Sequence, residues 1–182
     1  MKKKRNIIIL IMVLVLLCGW AIGSIHNNYQ HGRELDYVLE RLSWQCTDLA
    51  ESIDRLKSEL DKGNNDYSFL NTYYNAMLMF YSWFGYEDMP FLEDVREEWT
   101  AQFANLRQQA LRGDEHVRNI FTDDEKFKEV AHLRDQLYKM VDAVDDFRER
   151  YEQMSEWERY FVSWKDEQKI LNEKVRFSPL PQ

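Results

Sequence analysis

Apolar residues open the chain in one unbroken run. Residues 7–25 carry no charge and are dominated by Ile, Leu and Val. At 1.5 Å per residue this run spans about 28 Å of helix, close to the thickness of a bilayer's hydrocarbon core. A basic cluster at residues 2–5 precedes it, so the positive-inside rule places the amino terminus in the cytoplasm. The pattern predicts that residues 1–25 form a cytoplasmic tip and a transmembrane anchor in the cell membrane, with the rest of the chain outside.

Two cleavage hypotheses compete with a retained anchor. Ala21 and Gly23 have the small-x-small spacing that signal peptidase accepts, and cleavage after Gly23 would release a secreted or periplasmic domain. A lipoprotein signal at Cys18 is disfavoured because Leu17 stands where a small residue is expected. The apolar run continues past the candidate cleavage site and carries Trp20 near the outer boundary, which favours a retained single-pass anchor.

A heptad-like pattern predicts the first helix outside the membrane, over about 33–62. Its apolar positions alternate spacings of four and three, as in the seam of a coiled coil. This seam comprises Leu35, Leu39, Leu42, Cys46, Leu49, Ile53, Leu56 and Leu60. It could fold back within the chain or pair with a second copy. Residues 26–32 lie between the apolar run and the seam, and we interpret them as a juxtamembrane linker.

Further helical patterns divide the chain up to residue 176. The segment 67–84 follows Asp66 as N-cap and carries no charge. The next helix opens at Met89-Pro90 and has a buried stripe of Leu92, Val95, Trp99, Phe103, Leu106 and Ala110. Residues 114–121 are a connector or a short helix.

The last long helical segment begins at a capping box, Thr122–Glu125, and the pattern favours a bend near Ser155. An extended, exposed tail is predicted over 177–182. Together these patterns predict an all-α fold in which a membrane-spanning helix precedes an antiparallel bundle of four or five helices, with heptad-like seams, over 33–176.

Aromatic residues at helical spacing mark a candidate interaction surface on the 67–84 helix. Tyr67, Tyr74 and Tyr81 repeat every seven residues beside the main apolar stripe, and Trp83 follows them. An exposed ridge of this kind would contact a partner, a glycan or the membrane interface, whereas a buried one would be core. A second membrane span is disfavoured here because polar residues interrupt the segment.

Charge and cysteine content limit the partners. The chain has 24 basic and 32 acidic residues; without the four basic residues of the tip, 20 remain against 32, a net charge of −12 outside the membrane. Nucleic acid is therefore a poor partner. Cys46 is the lone cysteine outside the membrane, so an intramolecular disulfide is excluded there, and a pairing of Cys46 between chains stays open.

Chemical motifs are scarce in this sequence. Glu129 and His132 have the Glu-x-x-His spacing of di-iron bundles, but the second pair that such a site needs is missing. Phosphate-binding glycine loops, zinc-protease motifs and paired cysteines are also missing. We expect no catalytic, cofactor or metal site.

Two hypotheses of function follow. The first is a membrane-anchored, non-catalytic protein that acts through contact with a protein partner or a second copy of itself, in a scaffold, assembly or sensory role. The second is a secreted or periplasmic binding module whose aromatic surface holds an apolar or glycan ligand.

Overall fold

The computed structural model describes residues 2–86 and 92–178, and within these ranges the chain forms seven α-helices and no strand. They are α1 (Lys2–Asp61), α2 (Tyr67–Tyr86), α3 (Glu93–Ala110), α4 (Asp114–Thr122), α5 (Asp124–Gln153), α6 (Glu156–Phe161) and α7 (Trp164–Val175). The prediction of an all-helical protein is confirmed. The helices outnumber the four or five expected because the last predicted segment divides into three and the connector after α3 is itself a helix.

α1 is continuous through the predicted linker. It runs from Lys2 to Asp61, about 90 Å at 1.5 Å per residue, so residues 26–32 are helical. No proline interrupts them, and the amide of Asn28 finds partners elsewhere in the chain. The side-chain amide of Asn28 donates to the carbonyl oxygens of Tyr160 (2.8 Å) and Val162 (3.2 Å). Gly32 permits close approach instead of ending the helix, because a Cβ there would lie 2.9 Å from Cη2 of Trp164.

The two parts of α1 have opposite environments. Large apolar side chains between Ile11 and Ile22 are 47–75% exposed, whereas the seam between Leu35 and Leu60 is at most 7% exposed. Among the described residues α1 is the one helix long and apolar enough to be a candidate membrane span, a test that a signal sequence would also pass. α2, the other uncharged segment, buries residues such as Leu70 in the core.

The seam of α1 packs mainly against α5 and α2 of the same chain. Polar contacts flank it. The guanidinium Nε of Arg148 donates to Asp36 at 2.9 Å, and the Ser43 hydroxyl donates to Asp145 at 2.9 Å. These contacts fix how α1 and α5 lie against each other.

α3 buries the stripe that its sequence predicts. All six residues, Leu92, Val95, Trp99, Phe103, Leu106 and Ala110, are at most 9% exposed. The ring of Phe103 lies 4.2 Å from that of Phe80 in α2, and the indole N–H of Trp99 donates to the carbonyl of Val175 at 2.8 Å. The predicted start of this helix at Met89-Pro90 lies outside the described residues.

The N-cap of α5 is one residue later than expected. The side chain of Asp123 accepts from the backbone N–H groups of Glu125 (3.1 Å) and Lys126 (3.3 Å). Thr122, the predicted cap, ends α4, and its hydroxyl donates to the carbonyl of Arg118 at 2.8 Å. The prediction failed because α4 extends through Thr122, leaving Asp123 as the residue with extended backbone.

The bend near Ser155 is confirmed. α5 ends at Gln153, and Ser155 begins α6 with a capping box in which its backbone N–H donates to Glu158 at 2.8 Å.

The start of the tail is docked instead of exposed. Phe177 packs edge-on against Trp99 with ring centres 5.4 Å apart. The ring Nε2 of His132 donates to the carbonyl of Ser178 at 2.6 Å, and the backbone N–H of Ser178 donates to Gln136 at 3.2 Å. These partners on α3 and α5 explain why the tail does not leave the surface here; residues 179–182 lie outside the described part of the chain.

Candidate functional site

The aromatic residues predicted as an interaction surface have different environments in the structure. Tyr67, at the start of α2, is 57% exposed. Tyr74 is half-buried, and its hydroxyl donates to Asp114 of α4 at 2.9 Å. Tyr81 is also half-buried, and the guanidinium of Arg107 lies 4.8 Å from its ring centre. The three tyrosines do not form one exposed ridge, and the side chain of Trp83 lies outside the described residues.

A shallow apolar groove lies beside Tyr74. It has a volume of about 250 Å³ and lies between α2, the end of α3 and the start of α4. It is lined by Tyr74, Met77, Leu78, Arg107, Ala110, Leu111 and Asp114. We call it the Tyr74 groove. Apolar side chains form most of its lining, and one cation and one anion border it.

Two leucines of the groove are exposed. Leu78 is 48% exposed and Leu111 is 74% exposed. Leu111 follows the last residue of α3, and the chain then turns through Gly113, whose φ of 99° is in the region that favours glycine. This reversal into α4 leaves Leu111 on the surface beside α2. The two leucines extend the apolar surface of the groove outward.

The hydroxyl of Tyr74 remains a hydrogen-bond donor at neutral pH. Burial raises its pKa, and the hydrogen bond to Asp114 and the charge of that carboxylate raise it further. The Tyr74–Asp114 contact therefore joins α2 to α4 across the groove over the physiological pH range. Asp114 is thus occupied in holding the groove together.

The predicted seam lies inside the chain. Leu35, Leu39, Leu42, Leu49, Ile53, Leu56 and Leu60 are all in the core cluster. Cys46 is fully buried among them, with its Sγ 3.5 Å from the sulfur of Met140. Burial raises the pKa of the Cys46 thiol well above its ordinary value. A disulfide between chains through Cys46, which the sequence left open, is therefore incompatible with this packing.

His132, the histidine of the Glu-x-x-His pair with Glu129, contacts the tail. His132 is bonded to the tail carbonyl of Ser178, and its ring lies edge-on to Phe177 at 5.6 Å. Among the described residues no group of three or more His, Cys, Asp or Glu side chains is arranged to hold a metal ion. His132 serves to dock the tail.

Sequence reasoning placed Tyr74 on a candidate surface but did not find the other residues of the groove, because they come from three helices. Leu78 and Leu111 both lie off the buried stripes of their helices. An apolar residue off the stripe was the available signal, but it does not show which such residues the fold brings together.

Comparison of the chain with family models, with curated proteins and with solved structures finds no match.

Proposed function

We propose that this is a single-pass membrane protein with a cytoplasmic amino terminus, whose extracytoplasmic helical domain acts by protein contact without catalysis. The observation that carries the proposal is the contrast within α1. Its large apolar side chains from Ile11 to Ile22 are exposed, while the seam from Leu35 to Leu60 is buried in the domain. A continuous exposed apolar surface of this length is unfavourable in water and favourable in lipid. The basic residues 2–5 support the orientation.

The domain itself is proposed to be an antiparallel bundle. The contacts between α1 and α5 support this, because residues later in α1 contact residues earlier in α5, as in two antiparallel helices. Asp36 bonds to Arg148 at 2.9 Å, and Asp54 bonds to Arg134 at 2.7 Å. A bundle of this kind buries its seams and offers its outer surface for binding.

The Tyr74 groove is the proposed contact site, and its occupant is an apolar side chain of a protein partner. Its volume of about 250 Å³ is below the roughly 300–1,000 Å³ of pockets that enclose small ligands. Leu78 and Leu111 extend its apolar surface outward, which suits a protein surface better than an enclosed ligand. A scaffold, assembly or sensory role would use such a contact.

The anchor is tested by fractionating cells that express the native chain. We expect a membrane-bound species that resists carbonate extraction and has the intact mass of the full 22.1 kDa chain. A soluble species that begins at Ser24 would overturn the proposal of an anchor. The orientation is checked by fusing to the carboxyl terminus a reporter enzyme that is active only outside the cytoplasm. We expect this fusion to be active.

The contact site is tested by photo-crosslinking in cells. A photoreactive amino acid at Leu111 should give a discrete protein adduct, and Leu78→Asp should abolish it without unfolding the chain because Leu78 is half exposed. The same amino acid at Asp135, an exposed position on α5, serves as the control. Equal adducts from both positions, or no adduct from Leu111, would contradict the proposed site.

The second candidate function is a secreted or periplasmic binding module. The apolar lining of the groove beside Tyr74 favours it, since the same surface would take an apolar ligand or the apolar face of a sugar. This function requires that the chain is cleaved after Gly23. Intact mass therefore separates the two functions, and a soluble product would direct ligand screening to the Tyr74 groove.

A further inference from the structure

α6 is held against α1 close to the point where α1 leaves the apolar run. The Asn28 amide donates to the carbonyls of Tyr160 and Val162. The indole N–H of Trp164 donates back to the Asn28 carbonyl at 3.0 Å, and the rings of Tyr29 and Tyr160 stack with centres 4.7 Å apart. These contacts place α6 beside residues 28 and 29 of α1, and we call this position along α1 the height of α6.

That height corresponds to the headgroup region of a bilayer spanned by residues 7–25. Asn28 lies three residues after Ile25, about 4.5 Å along the helix. The interfacial region outside the hydrocarbon core is about 5–7 Å thick on each side. Phe161 lines a surface depression of about 650 Å³ together with Ser24 and Ile25. It therefore lies level with the end of the apolar run.

α6 also carries exposed aromatic side chains that the domain does not use. Trp157 is 74% exposed and Phe161 is 65% exposed. They are four residues apart and so lie on one face of this helix. No residue of α6 is buried. Tryptophan and other aromatic residues gather at the membrane interface, where an apolar ring can leave water without entering the hydrocarbon core.

We infer that α6 is a membrane-interface element, in which Trp157 and Phe161 enter the outer headgroup region of the same bilayer that α1 spans. The inference rests on the proposed anchor and adds a second contact with the lipid. α6 connects the end of α5 to the start of α7, and it forms the part of the domain next to the membrane. The exposed carboxylates of Glu156 and Glu158 favour zwitterionic over anionic lipid.

The test measures tryptophan fluorescence of the full chain reconstituted in phosphatidylcholine vesicles. Part of the phosphatidylcholine carries bromine near the headgroup end of its acyl chains and quenches nearby indoles. If Trp157 lies in the headgroup region, the bromolipid should quench a smaller part of the emission in Trp157→Phe than in the unsubstituted chain. Trp44→Phe is the matched control, because Trp44 is also exposed but lies nineteen residues after Ile25, about 28 Å above the membrane. Its loss should leave the quenched component unchanged.

Trp20→Phe separates failure of the inference from failure of the anchor. Trp20 lies in the proposed span, so its quenching reports insertion of α1. If Trp20 is quenched and Trp157 is not, the anchor stands and the interfacial role of α6 is overturned. If neither is quenched, both are overturned. Far-ultraviolet circular dichroism verifies that each variant keeps its helices.

Discussion

At Gly32, α1 comes into close contact with the first residue of α7, Trp164. The indole of Trp164 occupies the space where a side chain at position 32 would lie. This indole is itself held by its hydrogen bond to Asn28 and by the ring of Tyr151, 5.4 Å away. Trp164 is buried, so it cannot easily turn aside.

Gly32→Ala should therefore destabilise the protein although alanine favours helices. Overpacking of this kind costs about 1–3 kcal/mol. Gly23→Ala is the control, because it makes the same change in the same helix with no atom within 4 Å of the new methyl group. Urea unfolding in detergent micelles, followed by near-ultraviolet circular dichroism, measures both. Equal midpoints for the two variants would contradict the close packing.

Cys46 should be inert in the folded protein. The thiol is buried and its raised pKa keeps it protonated, so alkylation requires unfolding. In a Cys18→Ser background, intact mass after maleimide treatment should show no adduct in native buffer and one adduct in guanidinium. An adduct formed without denaturant would show that the α1–α5 packing opens readily.

At the scale of helices, carboxylates at three helix starts link stability to pH. The pKa of Asp66 is lowered first by the backbone N–H of Ser68, that of Asp123 by Lys126, and that of Glu158 by the Ser155 hydroxyl. A carboxylate with a lower pKa in the folded state adds stability above its unfolded pKa, near 4. That stability is lost as pH falls through the folded value.

The free energy of unfolding should thus be steady from pH 7 to 5 and fall towards pH 3. In the double variant Asp66→Asn with Asp123→Asn, the free energy of unfolding should fall less steeply with pH. The reason is that asparagine keeps the capping oxygen but does not titrate. Urea titrations at each pH measure this. If the free energy of unfolding of the double variant falls as steeply below pH 5 as that of the wild type, other groups dominate its pH dependence.

The sequence predicted those helices whose apolar residues repeat on one side, because burial enforces that period. The Leu35–Leu60 seam and the Leu92–Ala110 stripe are examples. It did not predict that 26–32 is helical, because the contacts that hold this segment join the Asn28 amide to the carbonyls of Tyr160 and Val162, more than 130 residues later. The Tyr74–Asp114 contact was missed for the same reason, as periodicity describes one helix at a time.

For the whole molecule, the internal position of the seam bears on self-association. Leu49 is fully buried within one chain, so Leu49→Asp should unfold the domain by leaving a charge unpaired, a loss of about 4 kcal/mol or more. Trp44→Asp, on the exposed side of the same helix, should not. Circular dichroism and sedimentation in detergent test this. A folded monomer released from a wild-type dimer by Leu49→Asp would show that the seam works between chains.

The continuity of α1 has a mechanical consequence. With no break between Lys2 and Asp61, the domain has no swivel at the end of the apolar run, so a turn of the proposed span about the helix axis is also a turn of the domain. Each residue of a helix adds about 100° of rotation. One residue inserted between the span and Asn28 would therefore turn the Tyr74 groove through more than a quarter circle relative to the span, while raising it by only about 1.5 Å.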